Sequence, residues 1–162
     1  MITADGFRRA MEHERFAMQT LRTAFLSVPA ERRDDPAYQK ALEKLAHIVA
    51  TRETWLHRVG ALETMPDAVF PDAAPLDELA LRAASIQARW EAWAEELDDD
   101  DLGEMIEYRS TEGVGWRNTL GALLMHVYTH SFHHRGQINL LLTSCGGTAG
   151  LMDLILFDRE RC

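Results

Sequence analysis

Four long stretches of this chain repeat their apolar residues at the three-and-four spacing of an α-helix, and no convincing run of strands competes with them. The first covers residues 4–28, where Phe7, Ala10, Met11, Phe16, Met18, Leu21, Phe25 and Leu26 recur and Pro29 lies just beyond. The second runs over 36–62. Asp35 and Pro36 open it, a capping residue followed by a proline in the first turn, and Gly60 falls near its end. The third, 76–97, carries Leu79, Ile86, Trp90 and Trp93 after a linker punctuated by prolines. The fourth spans 116–143 and stops at Gly146-Gly147. Four amphipathic helices in 162 residues predict an all-α fold, a four-helix bundle forming one domain over residues 1–162.

Shorter features fill the gaps. Residues 104–115 read as a hairpin or loop before the last long helix, turning at Glu112-Gly113. A short helix is expected near 151–157. Asp98 to Asp101 suit a solvated helix stop, since carboxylates are disfavoured at a helix C-terminus. They lack the alternating ligands and the glycine of a calcium loop.

Charge narrows the partners. Acidic residues outnumber basic ones 26 to 17, for a formal net charge of −9. No basic cluster interleaved with aromatics suggests nucleic acid, and no segment suggests a membrane. The amphipathic N-terminus lacks the apolar region of a signal peptide. The two cysteines, Cys145 and Cys162, read as free thiols in a reducing cytoplasm. A chain this long buries a core without metal staples, so any metal would be functional.

Of seven histidines, four crowd into one helical stretch: His126, His130, His133 and His134. His130 and His134 are one turn apart on one face, with Leu123, Val127, Ile138 and Leu141 on the same side. That places the pair inward, with His126 and Gln137 flanking it and His133 toward the edge. Two imidazoles one turn apart can converge on one ion at about 2.0–2.1 Å. The Glu of HExxH is missing, so a metalloprotease of that kind is not expected. A third ligand has to come from elsewhere, and His13, His47 and His57 are the candidates. His47 sits off the main apolar stripe of its helix, beside Thr51 and Thr54, so periodicity leaves the choice open. Gly136 at mid-helix suggests close helix packing near the site, and Arg135 should point outward or pair with an acid.

The segment MHVYTHSFHHRGQINLLL resembles the C-terminal signature of the DinB/YfiT-like proteins. LAHIVATRETWLHRV resembles their second-helix motif, a histidine followed eight residues later by a tryptophan. The resemblance covers nearly the whole chain. It implies a four-helix bundle with a three-histidine site, and motif-to-motif matching places the ligands at His47, His130 and His134. It further implies nickel, zinc or iron as the metal, a homodimer, and in some relatives a thiol-dependent transferase or isomerase activity.

The expected function is therefore that of a metal-dependent enzyme of small-molecule metabolism, an S-transferase using a low-molecular-weight thiol or a hydrolase. A non-catalytic metal-binding or stress-response protein is the alternative. Gln137, His126, Tyr128 and Trp55 are the candidate pocket residues.

Overall fold

The computed structural model describes residues 2–160, so Cys162 lies outside the described residues. Helix α1 spans Ala4–Ser27, α2 Pro36–Arg58, α3 Leu76–Glu95, α4 Leu120–Ser144 and the short α5 Leu154–Asp158. Between α3 and α4, β1 (Met105–Arg109) pairs antiparallel with β2 (Gly115–Thr119). The expected all-α bundle with a small hairpin before the last long helix is what forms.

Local chemistry sets most helix ends. Thr3, Asp35 and Thr119 accept the N–H groups of Gly6, Ala37 and Ala122 with their side chains, capping α1, α2 and α4. Helix α2 stops at Arg58, four residues before the apolar pattern ends. Gly60 there takes φ +79°, while the Ala61 N–H reaches Leu56 O at 2.9 Å and the Gly60 N–H reaches His57 O at 3.0 Å. The same left-handed glycine closure ends α4, with Gly146 at φ +87° and the Gly147 N–H on Leu142 O at 2.9 Å. Helix α4 starts at Leu120 rather than 116, because residues 116–119 are taken up by pairing with β1. The hairpin turns through Gly113 at φ +81°, next to Glu112 as expected. Asp99–Gly103 form a short 3-10 helix with Asp98, Asp99 and Asp100 exposed, and Asp99 accepts the Ala4 N–H at 2.7 Å, adding a cap to α1 from a distant segment.

In the bundle, α1 packs against α3 and α4, and α2 packs against the same two helices. The apolar core is divided. One cluster gathers Phe25, Leu42, Ile48, Leu79, Ile138 and Leu142, and the other gathers Phe7, Met11, Leu56, Trp90, Leu124 and Val127. Between them, on every long helix, lies a buried polar residue: Glu14 on α1, Arg52 on α2, Gln87 on α3, and Ser131 and Arg135 on α4. No helix among the described residues is long and apolar enough to cross a membrane.

Candidate metal centre

The histidine pair sits beside this polar layer. The deepest positions of α4 are Leu124, Val127, Ser131, Arg135, Ile138 and Leu142, while His130 and His134 are half-buried at one edge of that face. Leu141 is likewise only partly buried. The pair thus opens onto a cavity rather than the centre of the bundle. From α2, His47 meets it there: one nitrogen from each of His47, His130 and His134 lies within 4.8 Å of the others. Ring centroids stand 5.0 Å from His47 to His130, 4.7 Å from His47 to His134 and 4.5 Å within the pair.

His47 is 7% exposed even though it lies off its helix's apolar stripe. The cause is the linker between α2 and α3. The Val69 carbonyl accepts from His47 Nδ1 at 2.6 Å, and Phe70 stacks on its ring at 4.3 Å and 6°. On the other side, Gln137 Oε1 accepts from His134 Nδ1 at 3.0 Å. A carbonyl oxygen can only accept, so each ring carries a proton on Nδ1, and in its neutral form keeps Nε2 bare. This is the tautomer a metal-binding imidazole needs, fixed by the kind of outer hydrogen bond that orients such ligands. Burial, and then the neighbouring imidazoles, push the His130 pKa down to about 3. Burial also lowers His134, in part against its bond to Gln137. Neutral rings leave lone pairs to give. The donor set fits a divalent late first-row ion with at least one position left open.

The cavity beside the triad has a volume of about 450 Å3 and is lined mainly by apolar surface, including Trp55, Val69, Phe70 and Tyr108. Trp55 and His126 line it, their rings 5.5 Å apart, with His126 in turn 5.3 Å from His130. Gln137 does not line it, and acts on the site through His134 while its amide donates to His133 Nε2 at 2.9 Å. Tyr128 is turned away: its hydroxyl donates to His13 Nδ1 at 3.0 Å on α1, because His13 Nε2 donates to Met152 O at 2.9 Å. His13 is fully buried there, and His57 donates to Leu62 O at 2.9 Å, so neither joins the triad. His133 is exposed outside it.

Arg135 pairs with an acid, as one of its two expected arrangements had it, but deep inside the bundle. It is 1% exposed and bonds Glu14, which also faces Arg52 at 3.7 Å. Close packing does not explain Gly136, since a Cβ there would meet nothing. Sequence reasoning missed Arg58, Phe70 and Tyr108. An aromatic in a linker of prolines and polar residues was the available signal for Phe70. The Val69 contact is made by backbone and leaves no sequence mark.

Residues 5–161 match a family model described as the DinB family. The fold is similar to the crystal structure of a DinB-like protein from Bacillus cereus ATCC 10987, with a TM-score of 0.68 and 20% identity, over 92% of this chain and 97% of that one. No curated protein matches the chain.

Proposed function

This chain belongs to the DinB family, and from that premise we propose that it is a cytoplasmic, single-domain metalloenzyme that carries a small-molecule thiol to an acceptor. The observation that carries the reading is the triad itself: three imidazole nitrogens within 4.8 Å, two of them on rings whose Nδ1 protons are held by carbonyl oxygens. Nickel, zinc and iron all suit three neutral imidazoles. What such an ion supplies is Lewis acidity, lowering the pKa of a thiol or water held beside it.

The chain's own residues account for the rest. His47, His130 and His134 hold the ion, with Val69 and Phe70 closing over His47. Trp55 and Phe70 give the cavity an apolar wall that keeps water from a bound substrate. His126 is the imidazole next to the triad, placed to take up a proton. Among the described residues no cysteine lines the cavity, and Cys145 is buried in an apolar cluster. In this reading the thiol sulfur arrives on a cosubstrate. A homodimer fits the outer face of α4, where Met125, Phe132 and Leu140 are exposed at helical spacing and Gly136 between them allows close approach.

The test is elemental analysis of untagged, dialysed protein, followed by a transfer screen with several low-molecular-weight thiols. About one equivalent of a transition metal per chain is expected, and retention below about a tenth refutes the site. Metal retention without turnover on any thiol would instead favour the non-catalytic metal-binding protein.

A further inference from the structure

The cavity beside the triad has an unusual charge. The chain carries 26 acidic residues, yet none of the residues lining this cavity is Asp or Glu. Arg58 lines it, and among the described residues no carboxylate lies within 4.0 Å of its guanidinium, which donates to the Arg109 carbonyl at 2.7 Å. A guanidinium has five N–H donors, so most of its capacity is unspent. Its position is fixed nonetheless. The guanidinium carbon lies 4.4 Å from the Trp55 ring and 4.7 Å from the Tyr108 ring, a cation seated in the corner these two edge-to-face rings make. Held this way, it loses little freedom on meeting a carboxylate.

Helix α2 aligns the parts. His47, Thr51, Trp55 and Arg58 follow at steps of four, four and three, on one face leading away from the triad. The Thr51 hydroxyl is buried with no hydrogen-bond partner and lines the same cavity. At about 1.5 Å per residue the step from His47 to Arg58 rises about 16 Å, and the Arg58 side chain, folded back over Trp55, shortens it to roughly 10 Å.

We propose that this cavity takes an elongated organic carboxylate, its acid group on Arg58, its polar middle at Thr51 and its apolar body along Trp55, with the far end at the triad. The proposal rests on the metal-site reading only for what meets that far end. A bound carboxylate also explains why an acidic protein keeps acids out of this one wall.

Calorimetric titration tests it. On zinc-loaded protein, 6-mercaptohexanoate should bind about tenfold or more tighter than 6-mercaptohexan-1-ol. R58Q should bring the two within about twofold, and R58K should restore part of the preference. A purely structural role for Arg58 would weaken both ligands alike and leave their ratio unchanged, which would overturn the proposal, as would equal binding to the wild type. On chelator-stripped protein, 4-phenylbutanoate should likewise outbind 4-phenylbutanol, with the preference lost in R58Q. If the protein holds no metal but this second preference appears, the metal reading fails and the anion site stands. If metal is held and neither preference appears, the anion site fails alone.

Discussion

Replacing Glu14 by Gln should be among the most destabilising conservative changes in this chain. The carboxylate is 1% exposed and is the shared partner of Arg135 and Arg52, themselves 1% and 2% exposed. With Gln at this position, two cations remain in the core with no carboxylate in contact, Glu91 acting on Arg52 only from beyond Gln87. Breaking a buried ion pair from one side costs about 3–5 kcal/mol, most of it the penalty of the stranded charge. With a urea slope of about 2 kcal/mol per molar, the unfolding midpoint should fall by roughly 1.5–2.5 M. R135M provides the internal control. It leaves one anion facing one cation, Glu14 with Arg52, and Arg52 keeps its 2.7 Å bond to Gln87. It should therefore cost at least about 2 kcal/mol less than E14Q if charge compensation sets the scale. Urea titrations at pH 7 followed by circular dichroism measure both. A loss below about 1 kcal/mol for E14Q, or equal losses for the two variants, would refute the reasoning, since solvated arginines would not need the partner.

The same residue sets a pH dependence. Burial alone would raise the Glu14 pKa, but the pull of Arg135 and Arg52 outweighs it and the value lies below the ordinary 4.5. A depressed carboxyl stabilises the fold above its unfolded pKa, and that contribution is lost as pH falls through the folded value. The gap in urea midpoint between wild type and E14Q should narrow from pH 7 to pH 3.5, and a constant gap would count against the linkage.

Four other outcomes are expected. His134→Ala should abolish metal retention in elemental analysis while His133→Ala keeps it, because only the former ring belongs to the triad. Gln137→Ala should weaken metal binding by about 10–100-fold in chelator competition, by freeing the His134 ring whose Nδ1 proton Gln137 now holds. Gly146→Ala should cost about 1–2 kcal/mol in thermal unfolding, since the position takes φ +87° although the added Cβ meets only ordinary contacts with Pro29. Leu140→Arg should shift the protein toward monomer in sedimentation equilibrium at unchanged metal content, because Leu140 is 73% exposed and away from the triad.

What the sequence alone determined about this protein is what neighbours in the chain can decide. Apolar spacing marked the four helices, Asp35 and Pro36 marked a start, and Gly60 and Gly146 marked two ends, because caps and closures act within a turn of backbone. The convergence of His130 and His134 was legible for the same reason, one turn being enough to align them. Helix α4 was read four residues too long because strand pairing with residues 105–109, a contact beyond any local pattern, claimed its first turn. His47 was singled out only by family resemblance. Its own helix argued mildly against it, since periodicity shows which side of a helix is apolar but not what comes to cover the polar side. In the folded chain a carbonyl 22 residues away and the ring of Phe70 cover it and set its tautomer. Tyr128 went to His13 instead of the cavity, and Arg135 went to a glutamate 121 residues earlier, both choices made across the bundle. The polar layer that divides the core, with the triad at its edge, exists only when four helices are brought side by side, because each contributes one or two residues that look misplaced until the others arrive.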